Sequence, residues 1–101
     1  MIFALTVPGP IEDAEEVRVL EWHFAPGDAI EPGALLVELE THKALVEVRA
    51  AQPGYLRQIL CPDGGWGAIG APLAILSEAA DEPIEGSPDG LALLAVDFEV
   101  C

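Results

Sequence analysis

The stretch Leu35-Leu36-Val37-Glu38-Leu39-Glu40-Thr41-His42-Lys43-Ala44-Leu45-Val46-Glu47-Val48-Arg49-Ala50 decides the fold. Leu35, Val37 and Leu39 fall on one face of an extended chain, while Glu38 and Glu40 fall on the other. Beyond the polar break, Val46 and Val48 oppose Glu47 and Arg49 in the same way. A period of two on both sides predicts strands over residues 34–40 and 44–50, with a reversal between them. Thr41-His42-Lys43-Ala44 is the predicted turn, with His42 and Lys43 at its centre. It contains no Gly or Asn to supply positive φ, so a type I geometry is expected.

Further β-prone runs lie outward on both sides, over residues 17–24, 55–60 and 72–76. They are separated by Pro26-Gly27-Asp28, Glu31-Pro32-Gly33, Gln52-Pro53-Gly54, Pro62-Asp63-Gly64-Gly65 and Gly70. Short strands with turn signals this frequent predict an all-β sandwich or barrel. Residues 11–17 carry acids on nearly every side and read as a solvated loop. An internal repeat supports two interlocking halves. Phe24-Ala25-Pro26 matches Leu60-Cys61-Pro62, and Gly33-Ala34-Leu35-Leu36 matches Gly70-Ala71-Pro72-Leu73, one residue further along. The same shift carries Lys43 onto Ala80, where the strand pattern stops. A compact unit over residues 1–80 is therefore expected. Residues 81–90 then form an acidic Pro/Gly linker. Residues 91–101 are apolar, with Phe98 and Val100 alternating with Asp97 and Glu99; they suit an added edge strand or a docking element.

Composition narrows the function. The chain has 101 residues, enough for one domain without a large internal active site. Four Lys and Arg against 18 Asp and Glu give a net charge of −14, with 51% hydrophobic residues arguing for a folded chain. Arg18, Lys43, Arg49 and Arg57 form no basic stripe, so neither nucleic acid nor an anionic membrane surface is an expected partner. No apolar run reaches the ~20 residues of a membrane span. Residues 1–8 lack the basic and apolar regions of a signal peptide, and two cysteines make no disulfide framework; the cytoplasm is the expected compartment. No catalytic triad is favoured by spacing. His23 on a strand and His42 on a turn, with no Cys-x-x-Cys, give no expected metal site, and Glu12, Asp13, Glu15 and Glu16 read as a solvated face. Gly64-Gly65-Trp66-Gly67 reads as a turn in which Trp66 packs on the barrel. Cys61 reads as a small buried hydrophobe, and Cys101 as a free thiol.

Lys43 is the only lysine in the chain. Glu40-Thr41-His42-Lys43-Ala44 resembles the E-T-D-K-A motif of lipoyl domains, as found in the acyltransferase components of 2-oxo acid dehydrogenase complexes. The resemblance extends over roughly residues 5–79. It includes Val7-Pro8, Glu21-Trp22, Pro26-Gly27-Asp28-Ala29-Ile30, Pro32-Gly33, Leu36-Val37-Glu38-Leu39-Glu40, Ala50-Ala51-Gln52-Pro53-Gly54 and Gly70-Ala71-Pro72-Leu73-Ala74-Ile75.

That resemblance implies a flattened β-barrel of two four-stranded sheets with quasi-twofold symmetry. It implies lipoate attached covalently to Lys43, with Glu40, Thr41, His42 and Ala44 as flanking recognition residues. The implied partners are a lipoate ligase or lipoyl transferase, then the dehydrogenase and acyltransferase enzymes between which a swinging arm shuttles acyl groups and electrons. The domain itself would have no catalytic centre. His42 stands where the family usually has Asp, which bears on the partner more than on the modification. Biotinyl domains share the fold, but their lysine is normally flanked by methionines, and Met1 is the only methionine here; biotin is the second candidate cofactor. The alternative from another class is an unmodified barrel acting as an interaction module through residues 91–100.

Overall fold

The alternating strands bury their apolar faces by forming two sheets that face each other. The computed structural model describes residues 1–11, 14–84 and 91–100. Its strands are β1 (Ile2–Thr6), β2 (Glu16–Trp22), β3 (Ala29–Ile30), β4 (Leu35–Glu40), β5 (Leu45–Ala50), β6 (Gly54–Ile59), β7 (Trp66–Ala68), β8 (Pro72–Ser77), β9 (Ala92–Leu93) and β10 (Val96–Val100). No helix occurs among the described residues. One sheet has the order β3-β6-β8-β1-β9 and the other β10-β5-β4-β2-β7. Leu5, Leu56, Leu73 and Leu76 of the first meet Val17, Val19, Val37, Leu39, Val46 and Val48 of the second in one core.

The internal repeat becomes a symmetry of strand order. Replacing β1, β3, β6 and β8 by β5, β7, β2 and β4 converts one four-stranded core sheet into the other. The corners match as well: Gly27 and Gly64 have φ of 100° and 86°, and Gly33 and Gly70 have φ of 90° and 88°. Positive φ is costly for any side chain with a Cβ, so each pair of corners reuses the same residue for the same bend.

The two facing sheets form the expected flattened barrel-sandwich, and each has five strands rather than four. The reason lies in the apolar segment after residue 90. β9 pairs parallel to β1, placing Ala92 opposite Phe3 and Leu93 opposite Ala4. The Leu94 amide then donates to the Ala4 carbonyl, and the Ala51 amide donates to the Ala95 carbonyl. The chain thus passes from one sheet to the other, where β10 runs antiparallel to β5, with Val96 opposite Ala50 and Val100 opposite Val46. Leu94, at the crossing, is 5% exposed and joins the core.

Several local expectations change. A bulge between Leu35 and Val37 turns Leu36 inward, so Leu36 is buried and Leu35 only half-buried. Residues 11–17 are more than a solvated loop, because Ile11 is buried in the core and β2 begins at Glu16; Glu12 and Asp13 lie outside the described residues. β1, β3 and β7 were not separate in the sequence pattern. β1 sits between two strands and is buried along Phe3, Ala4 and Leu5, which erases alternation. β3 and β7 span only Ala29–Ile30 and Trp66–Ala68, too short to show a period.

Leu94→Ala is expected to cost about 2–4 kcal/mol, as for other buried leucines, whereas Leu93→Ala at an exposed position should stay within about 0.5 kcal/mol. Urea unfolding of both variants checks this; equal losses would show that the crossing segment is not seated in the core.

Candidate functional site

The β4–β5 hairpin ends with Glu40 paired to Leu45. Thr41 closes the reversal. Its amide donates to the Ala44 carbonyl at 2.9 Å. Its hydroxyl oxygen accepts from the Lys43 amide at 3.2 Å and the Ala44 amide at 3.0 Å, and the hydroxyl lies 3.3 Å from the Ala44 carbonyl, to which it can donate. One buried side chain, 8% exposed, therefore serves the turn's backbone groups. The turn is held without glycine, and His42 and Lys43 are exposed at its tip. Ala44 is half-buried and Glu40 lies on the outer face of β4. The five predicted site residues are thus brought to one end of one hairpin. Thr41 contributes by shaping the turn, since its side chain faces inward.

The hairpin is braced on both sides. β10 covers β5, so the strand that follows Lys43 lies inside its sheet. Across the outer face, Trp66 of β7, Arg18 of β2, Glu40 of β4 and Leu45 of β5 stand in one cross-strand row. Arg18 and Glu40 form an exposed ion pair at 3.6 Å, a contact of small energetic weight. An open cleft beside the hairpin is lined by Glu15, Glu16, Glu40, Thr41, His42 and Trp66. Arg18 and Trp66 lie far from Lys43 in sequence, and no motif reports their approach; register alone brings them there.

Trp66 is 62% exposed and does not pack on the core. Pairing with Arg18 fixes it on the outer face of β7, and Trp22 fills the inner role instead, packing on the core and donating from Nε1 to the Cys61 carbonyl at 2.8 Å. Cys61 is half-buried rather than fully buried. Burial pushes its thiol pKa up, which makes it a poor nucleophile near neutral pH. Cys101 lies outside the described residues.

Thr41→Val should cost about 1–3 kcal/mol, because two turn amides lose their acceptor, and Thr41→Ser should retain most of that stability. Chemical denaturation of the pair checks the assignment. A Val variant as stable as the native chain would remove the hydroxyl from the account of the turn.

The family described as "Biotin-requiring enzyme" matches residues 4–76. The solution structure of the lipoyl domain of the 2-oxoglutarate dehydrogenase complex from Azotobacter vinelandii superposes with a TM-score of 0.61 at 31% identity, covering 74% of this chain and 98% of that one. The dihydrolipoyllysine-residue succinyltransferase component of the 2-oxoglutarate dehydrogenase complex from Bacillus subtilis is 34% identical over 84 residues, 83% of this chain and 20% of the relative. The dihydrolipoyllysine-residue acetyltransferase component of the pyruvate dehydrogenase complex from Zymomonas mobilis is 30% identical over 83 residues, 81% and 19% of the two chains. The chain spans about a fifth of the length of these curated relatives.

Proposed function

The chain belongs to the lipoyl-domain family, and we propose that Lys43 carries lipoate in amide linkage as the base of a swinging arm. The observation that carries this is the placement of the chain's only lysine at the exposed tip of a two-strand turn braced by Thr41. When attached, the dithiolane supplies acyl- and electron-carrying chemistry. The chain's own residues supply position.

Those residues perform separable tasks. Thr41 and the β4–β5 pairing hold the lysine backbone at a fixed place, which a modifying enzyme needs in order to present one amine to its active site. A lysine extended by lipoate is a long tether, and tethering raises the effective concentration of the carried group at each partner. Forming the amide removes the ε-ammonium charge and leaves the hairpin more acidic. His42 and Glu40 flank the lysine on accessible faces and are the side chains through which an enzyme reads the tip.

The partners are a lipoate ligase or lipoyl transferase, followed by dehydrogenase- and acyltransferase-type enzymes of a 2-oxo acid dehydrogenase complex, in the cytoplasm. The names of the Bacillus subtilis and Zymomonas mobilis relatives, both dihydrolipoyllysine-residue transferase components, favour this over a biotin carrier. The domain has no turnover of its own; catalysis lies with the enzymes the arm visits.

Intact-mass measurement on protein from its own cells, with peptide mapping across residues 40–49, is expected to show a lipoyl adduct on Lys43. Lys43→Arg should abolish the adduct while changing stability by less than about 0.5 kcal/mol. A biotin adduct, or a bare lysine in native material, overturns the proposal.

A further inference from the structure

We propose that Glu21, His23 and Glu38 form a binding site for a divalent transition-metal ion of the zinc class on the outer face of the β10-β5-β4-β2-β7 sheet. Register builds the site. Glu21 of β2 is directly opposite Glu38 of β4, and the His23 ring stands 2.7 Å, Nε2 to Oε1, from Glu38. One ligand atom from each of the three lies within 4.8 Å of the other two. Donors around a tetrahedral zinc ion sit roughly 3.4 Å apart, given bonds of about 2.0–2.2 Å, so small rotations of the glutamate side chains suffice.

The backbone beneath these donors is fixed. The His23 amide donates to the Leu36 carbonyl at 2.9 Å, and the preceding Trp22 amide donates to Asp63 Oδ1 at 3.1 Å. Trp22 is further anchored through its indole, as described above. Glu21 and Glu38 therefore stand on paired strands, and His23 follows β2 directly in a bend whose backbone is tied to β4, which lowers the ordering entropy that binding must overcome.

Charge supplies an independent reason for a cation at this place. Glu21, Glu38, Glu47 and Glu99 stand opposite one another in a single row across β2, β4, β5 and β10. Like charges directly opposite are destabilising in a sheet. Arg49 approaches Glu47 at 3.8 Å, and His23 is the basic group at the Glu21–Glu38 end of the row. Two carboxylates neutralise a dication, and the imidazole selects zinc-class ions over calcium and magnesium, which prefer oxygen ligands alone. With side-chain exposures of 30% for His23 and 28% for Glu38, the remaining coordination positions open to water. The site is separate from Lys43 and does not depend on what that lysine carries.

Titration of the full chain with zinc chloride by calorimetry is expected to show one ion per chain. His23→Ala and Glu38→Gln should each weaken binding tenfold or more, while Glu99→Gln in the same acidic row and Cys101→Ser should leave it within twofold. Nuclear magnetic resonance separates the two imidazoles: the ring signals of His23 should shift on zinc addition and those of His42 should not. Thermal unfolding without metal confirms that each variant folds. Binding that survives His23→Ala, that weakens equally with Glu99→Gln, or that shifts His42 instead would overturn the proposal, as would no binding at millimolar zinc.

Discussion

Neither half of this chain can bury its apolar faces alone, and that constraint governs the rest of the architecture. Each half of the repeat contributes strands to both sheets: β1 and β3 enter one, β2 and β4 the other, and β5 to β8 divide in the opposite sense. Hydrophobic burial is therefore available only when the halves interlock. A chain of this length has little core to spare, so the corners must bend correctly in both halves. The paired positive-φ glycines do that at equivalent positions. The segment after residue 90 works within the same constraint. It places Leu94 between the sheets and adds one strand to each, parallel to β1 and antiparallel to β5, while burying apolar surface that would otherwise face water.

The site inherits its rigidity from this arrangement. Val46 and Val48 of β5 are fully buried, and their neighbours on β4 and β10 hold them in register. A two-residue excursion from such a frame has little freedom of its own, and the buried Thr41 hydroxyl removes more. Rigid backbone below and a long side chain above suit the proposed carrier role, in which the hairpin is the defined element. β10 adds to this by taking over the edge position from β5. The exposed edge of the sheet is displaced one strand away from the lysine-bearing hairpin, and Asp97 and Glu99 on the new edge discourage pairing with another chain.

What the sequence disclosed divides along a physical line. Strands with one buried face, β4 and β5 above all, were legible because alternation records burial. The lysine was legible because it stands alone and the Thr41-His42-Lys43-Ala44 reversal is local. β1 was not, because a strand buried along both sides loses its period. Val37 and Leu39 keep the expected face, but the bulge before them gives the inward place to Leu36 instead of Leu35, and nothing in Leu35-Leu36-Val37 signals where the extra residue falls. Trp66 faces outward against expectation for a similar reason: which tryptophan faces inward is decided by register between distant strands. The cross-strand rows, Trp66–Arg18–Glu40–Leu45 and Glu21–Glu38–Glu47–Glu99, are properties of pairing and have no linear signature.

The charge pattern bears on selectivity at the lysine. A net charge of −14 raises the self-repulsion of the folded chain, and the row of four glutamates concentrates it on the sheet that carries the hairpin. The same composition leaves a single ε-amine on the whole chain. An enzyme that acylates lysine must discriminate its target from every other exposed amine, and discrimination is a difference in free energy between the right site and the wrong ones. Here the competing side-chain amines are absent, so the hairpin need not out-compete them. His42, exposed at the tip, sets its charge and hydrogen-bonding character without a part in the Thr41–Ala44 bonds that close the turn. A substitution at that place changes the surface around the lysine and leaves the Thr41–Ala44 bonds of the turn in place.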